Sequence, residues 1–289
     1  MKRIFWGSVR ALCGPGIWLG LGLLGAPAWA QFAPGGRAQV YGVTEADFTV
    51  PQVKLADAAV ARRINRTLLR LVVGAHADNI DSLGTARQQL RQADRASRYD
   101  AAEKVSRNYG RGLVGADYNV LLNQDSLLSF GFTLEFVGAY PMQETGHVTF
   151  DLRTGRPLRL ADVVADEPAQ LTLRTEGAIN RRMGETLTEI VAIINDSAEV
   201  ADLTERFYWN KVTRRVSFER AARPDGAPGV ALDEIALTPR ALLLFYRFEL
   251  PHVMQNFEPD DTYRFPCMRV RPWGPLVPVA HAAGAPKEP

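Results

Sequence analysis

Glu144, His147 and Asp151 lie in one short stretch, and two carboxylates flanking an imidazole are the groups that acid–base or metal-assisted hydrolysis uses. Tyr140 adds a phenol just ahead of them, so Tyr140, Glu144 and His147 form a candidate polar ligand site. Zinc chemistry would need more. The histidines are His76, His147, His252 and His281, and no two of them are three to five residues apart, so a local ligand pair is missing. No Gly-x-Ser-x-Gly elbow, phosphate loop or Gly-x-Gly-x-x-Gly following a strand is present. The reading is therefore of no metal, no cofactor and no catalytic residue. A second candidate surface is the row Arg87, Arg91, Arg95 and Arg98, whose spacing puts four cations on one helix face able to fork onto phosphates or carboxylates. Asp94, Asp100 and Glu103 lie close enough to offset it, and such a charge row is most simply a solvated face.

The elements that must position these groups follow from periodicity. Val60, Ile64, Leu68 and Leu71/Val72 recur at helical spacing and predict a long helix over 55–76; a more polar helix over 81–104 carries the arginine row. Strands are predicted over 118–122, 127–137 and 147–152 as an antiparallel meander. In the middle strand Phe130, Phe132, Leu134 and Phe136 share a face that the first helix should cover, while Gly131, Thr133 and Glu135 share the other. Pro51 assigns the strand at 48–53 to a sheet edge. A tight turn with Gly155 at positive φ should precede residue 158. Past Pro168, Leu171, Ile179, Met183 and Leu187 predict another helix, and Ser197 is the expected cap of a short one after it. Strands are then predicted over 212–218, 232–237, 241–250 and 263–270, the third of them central. Phe207, Tyr208, Trp209 and Trp273 are candidates for an aromatic docking platform.

Residues 1–30 read as a signal peptide: Lys2, Arg3 and Arg10 precede an uncharged run that ends in Ala28-Trp29-Ala30, so cleavage is expected near Ala30. Its removal predicts a periplasmic or secreted protein with no remaining membrane span. The formal charge of +2 falls to −1 without the leader, which gives no field for steering nucleic acid. Cys267 is then the one remaining cysteine, expected as a buried thiol that forms no intramolecular disulfide.

Two stretches resemble a known family. Leu127-Leu128-Ser129, Phe136-Val137-Gly138-Ala139-Tyr140 and Thr149-Phe150-Asp151-Leu152-Arg153-Thr154-Gly155-Arg156-Pro157-Leu158-Arg159-Leu160-Ala161-Asp162 are similar to a segment of the bacterial extracytoplasmic family that includes the N-terminal, non-catalytic region of the peptidoglycan deacetylase PdaC and the lysozyme-sensing anti-sigma factor RsiV. Downstream, Leu237-Thr238-Pro239-Arg240-Ala241-Leu242, Phe245-Tyr246 and Phe265-Pro266 resemble the associated domain of unknown function. Where the family has Gly-Gly-Ala-His, this chain has Val137-Gly138-Ala139-Tyr140. Thr149-Phe150-Asp151-Leu152 also resembles the Thr-Phe-Asp-Asp start of polysaccharide deacetylases, but Leu152 replaces the second carboxylate.

The resemblance implies an α+β fold with antiparallel sheets packed against helices in two consecutive modules. The expected organisation is a signal peptide (1–30), a flexible lead-in (31–47), a PdaC-like module (48–160), an RsiV-like module (161–272) and a disordered Pro-rich tail (273–289). The expected role is non-catalytic binding of an envelope protein, lysozyme-like, or of a peptidoglycan fragment. The alternative is a deacetylase-like envelope hydrolase with dispersed residues.

Overall fold

The computed structural model describes residues 36–74, 84–100, 103–107, 110–194, 196–218, 230, 232–248, 250 and 252–284. The leader and the ends of the two predicted N-terminal helices, at 75–76 and 81–83, lie outside them, as do residues 219–229. The fold is α+β. Among the described residues no helix is long and apolar enough to cross a membrane.

In chain order, strands β1 (Gln39–Glu45) and β2 (Phe48–Lys54) are followed by helices α1 (Ala58–Val73) and α2 (Ala86–Arg98). A small hairpin, β3 (Tyr99–Asp100) and β4 (Val105–Ser106), leads to the meander β5 (Gly112–Gln124), β6 (Leu127–Val137), β7 (Pro141–Asp151) and β8 (Arg156–Pro157). The six long-sheet strands run in the order β1-β2-β5-β6-β7-β8, antiparallel except where β2 meets β5 at Phe48 and Ala116. Residues Leu128, Phe130 and Phe132 of β6 pack with Phe150 of β7 against Ile64, Leu68 and Val72 of α1, forming the first core as the alternation predicts. Gly155 adopts φ 69°, and a Cβ there would lie 2.9 Å from the Val60 carbonyl, so the turn into β8 fits under α1 only as glycine.

The second half begins with α3 (Leu160–Val163), α4 (Pro168–Ile193) and α5 (Ser197–Arg206), followed by the short pair β9 (Trp209–Asn210) and β10 (Arg215–Val216). A second sheet, β11 (Ile235–Leu237), β12 (Ala241–Phe245) and β13 (Thr262–Pro266), has β12 at its centre, and α6 (Leu276–Gly284) follows it. Its first strand lies against the Gly131 face of the long sheet: the buried Ser129 hydroxyl accepts from the Leu237 amide at 3.1 Å and sits 2.9 Å from Thr149 Oγ1. Leu122 and Leu127 of the meander share a core with Leu171, Leu237, Leu242 and Leu276, so the boundary expected at residue 160 is crossed by common packing.

Several elements differ from expectation for local reasons. The lead-in expected to be flexible contains β1, joined to β2 by a turn in which Ala46 takes φ 50° without a glycine to signal it. Strand β2 is second in the sheet, not at its edge; beyond Phe48 it has no β5 partner, which leaves room for Pro51, and the Asn65 side chain both donates to and accepts from Val53 in place of a neighbouring strand. The tail expected to be disordered forms α6, whose Leu276 and Val279 are fully buried; Pro278 sits in its first turn, where a missing amide proton costs nothing. Asp196, not Ser197, caps α5 by accepting from the Ala198 amide. The strand expected over 212–218 shrinks to β10, and Val212 is 93% exposed.

Candidate functional site

Strand parity separates the residues that the sequence placed together. On β7, Glu144 lies opposite Leu134 and His147 opposite Gly131, and an offset of three puts them on opposite faces of the sheet. Asp151 is buried, and Arg153 grips both its oxygens at 2.9 and 3.1 Å. Tyr140 is exposed on the turn before β7. Tyr140, Glu144 and His147 therefore do not converge. Among the described residues no three or more His, Cys, Asp or Glu are arranged to hold a metal ion. The aromatic platform does not assemble either, because Phe207 is fully buried against Phe248 while Trp273 is 60% exposed elsewhere.

His147 instead forms a separate arrangement. Its ring stacks on Phe245 with centroids 3.7 Å apart, and lies against Gly131, where an added Cβ would come within 3.4 Å of it. Its Nδ1 is 2.7 Å from Glu234 Oε1, within hydrogen-bonding distance. Two residues along the same face, Arg247 donates to Thr145 at 2.7 Å and to Asp261 at 2.8 Å. Desolvation works against the Arg247 cation, but Asp261, aided by Glu258 and Glu144, outweighs it and holds the guanidinium more firmly protonated than usual. These contacts bind β7 to the second half. Chemically the His147–Glu234 pair is an oriented base, yet among the described residues no hydroxyl or thiol is hydrogen-bonded to it.

The predicted arginine row is partly offset by a residue distant in sequence. Glu45, on β1, accepts from Arg91 at 2.7 Å and lies 3.8 Å from Arg87, while Arg95 acts on it at longer range. The Arg91 hydrogen bond is the largest of the influences that hold the Glu45 carboxyl below its usual range. Arg98 pairs with Asp94 at 2.9 Å and reaches Asp47 at 4.0 Å.

A different set of arginines surrounds a groove. Residues Arg174, Gly177, Ala178, Arg181, Arg182 and Glu185 form one stripe of α4, at spacings of three, four, seven, eight and eleven from Arg174. Facing them are Tyr263, Arg264, Phe265 and Pro266 of β13 and Arg269 just beyond it, and the space between is about 510 Å³. Two of the arginines are anchors. Arg174 donates to Asp166 and, at 2.6 Å, to the Arg269 carbonyl; Arg182 donates to the Asp260 carbonyl and, at 2.8 Å, to that of Thr262. Arg182 also covers the Tyr263 ring, 4.4 Å from its centroid. The buried Tyr263 hydroxyl has no partner in hydrogen-bonding geometry among the described residues, and desolvation pushes its pKa up to about 12 against the opposing pull of Arg182. Arg181, Arg264 and Arg269 are exposed and have no ion-pair partner among the described residues. This groove escaped the sequence reading, although the α4 stripe was visible as a polar face opposite Leu171, Ile179 and Met183.

Fold and groove together define an α+β protein with a basic cleft between its longest helix and the edge of its second sheet. The chain is similar in structure to a DUF3298 family member from Bacteroides fragilis, with 12% identity, a TM-score of 0.49, and coverage of 88% of this chain and 98% of that one. A DUF3298 family protein from Pseudomonas aeruginosa is similar at 14% identity and a TM-score of 0.43, covering 83% of this chain and 94% of its own. No family model and no curated protein matches the sequence.

Proposed function

We propose that the chain is a non-catalytic binding module of the cell envelope, periplasmic or secreted after cleavage near Ala30, whose ligand is a protein or a cell-wall fragment docking in the arginine-lined groove. One observation carries this reading: Arg181, Arg264 and Arg269 surround open space without an ion-pair partner among the described residues, whereas Glu45, Asp151 and Asp261 are each engaged by an arginine of the fold. The resemblance to PdaC and RsiV supports recognition and makes lysozyme and peptidoglycan fragments the first ligands to test. The immobilised chain should retain a component of envelope extract supplemented with both, in a form released by salt. Retention of nothing above a denatured-chain control overturns the reading.

A second reading, an envelope hydrolase, draws on the His147–Glu234 pair. Cleavage of acetylated or glycosidic envelope substrates that disappears in His147→Ala would establish it in place of the first.

A further inference from the structure

Resting on that binding reading, we propose that the groove between α4 and β13 is an oxyanion subsite: its ligand presents a carboxylate or phosphate to Arg181, Arg264 and Arg269 and lays its body along bare helix surface at Gly177. Glu185 is the only acidic residue lining the groove among the described residues, so three free guanidinium groups face one carboxylate. A guanidinium forks onto planar or tetrahedral oxyanions in two-point hydrogen bonds, and does so best where the surrounding frame is rigid. Here the frame is tied at both ends. Arg174 fastens α4 to the turn that carries Arg269, and Arg182 fastens it to β13 at Thr262.

Gly177 is the independent observation. Glycine inside a helix costs roughly 0.5–1 kcal/mol relative to alanine. Gly177 nevertheless sits inside a continuous 26-residue helix at a position where an added Cβ would meet nothing within 4 Å, so packing does not require it. What the missing side chain does is leave the floor of the groove open beside Ala178, with Phe265 and Pro266 across from it as an apolar wall. A volume of about 510 Å³ suits a ligand with a substantial body, not a bare ion.

Calorimetric titration of the full chain tests this with three probes: a disaccharide-tetrapeptide muropeptide with free carboxylates, the same compound fully amidated, and inorganic phosphate. We expect the free-carboxylate probe to bind, with affinity falling as salt rises. Binding should weaken at least about tenfold in the double variant R181E/R264E and in G177L. G177A, which adds one methyl to that floor, should bind more weakly than the wild type but better than G177L and melt at a higher temperature, which separates obstruction of the groove from damage to the helix. Phosphate bound in place of the muropeptide, with the same sensitivity to R181E/R264E, retains the oxyanion chemistry and assigns its source. Equal binding of the amidated probe, or binding indifferent to both R181E/R264E and G177L, overturns the subsite; envelope retention in the pull-down then leaves the broader reading standing. If neither the pull-down nor any probe shows binding, both fall.

Discussion

Helix α2 and helix α4 each carry a row of arginines, and they differ in what faces those rows. On α2 the opposing element is the β1–β2 hairpin, which brings Glu45 and Asp47 against Arg87, Arg91 and Arg98. On α4 the opposing element is β13 and the turn after it, which bring more arginine, Arg264 and Arg269. Cation spacing along a helix therefore says little about whether a surface is available to an anion. The sign of charge on the element packed opposite is the first condition for it.

The largest effect should come from reversing charge on the two rows separately. Arg181→Glu with Arg264→Glu should reduce retention of an envelope ligand at least about tenfold, whereas Arg87→Glu with Arg95→Glu should change it less than about twofold. Equal losses from the two pairs would erase the distinction. The next effect concerns an α4 arginine already committed to structure. Arg182 covers Tyr263, whose phenol is pushed up to about 12, above the value near 10 of an unfolded chain. The folded state therefore holds this proton more tightly than the unfolded state does. Stability on this account is complete below pH 10 and is lost as pH climbs from 10 towards 12, by up to about 3 kcal/mol. Denaturant titrations at pH 8 and pH 11.5 should show that decline in the wild type and much less of it in Tyr263→Phe. At pH 8 the substitution removes a buried hydroxyl without a partner and should leave stability unchanged or raised.

How far the sequence discloses this molecule depends on whether the interacting residues share an element. Strand β6 was legible to the residue because alternation of Phe130, Phe132, Leu134 and Phe136 with polar positions is local. The same rule of two would have separated Glu144 from His147, since an odd offset along a strand always changes face. The stripe from Arg174 to Glu185 was equally readable. Its significance was not, because the opposite wall begins at Tyr263 and no local pattern announces that pairing. Glu45 is hidden for the same reason, compounded by a Pro/Gly-rich lead-in that disguises β1. Prolines likewise disguised α6, where Pro278 occupies the one part of a helix that tolerates it.

Asp166 lets the comparison be sharpened from the α4 side. It holds Arg174 and accepts from the Arg271 amide, and its side chain is only 11% exposed. Asp166→Ala should cost about 1–3 kcal/mol, measured by urea unfolding, because the Arg271 amide loses its Asp166 acceptor and the half-buried Arg174 guanidinium keeps only the Arg269 carbonyl of its two. It also removes a negative charge beside the groove, so the variant should bind the carboxylate probe somewhat more tightly while being less stable. Weaker binding in a variant that remains folded would mean that Arg174 must be held in place for the groove to work.

Glu45 allows the reverse experiment on α2, and its effect should be the smallest. Hydrogen bonding to Arg91, opposed by desolvation and assisted by the fields of Arg91, Arg87 and Arg95, lowers its carboxyl below the usual range. A carboxyl lowered by folding contributes stability at neutral pH that is lost as pH falls through the carboxylate range, so Glu45→Gln should flatten the acid limb of the stability profile slightly, and less at high salt. The same substitution removes the carboxylate facing Arg87 and Arg91 and leaves Asp47 and Asp94 against Arg98. If opposing charge alone separated the two helices, Glu45→Gln would create a second anion site, and calorimetry with the free-carboxylate muropeptide would find it. We expect none: Arg87, Arg91 and Arg95 are exposed to solvent, and guanidinium groups bind oxyanions with useful affinity where a cleft limits competition from water. Uncompensated charge and concavity are both required, and among the described residues the groove at Gly177 combines them.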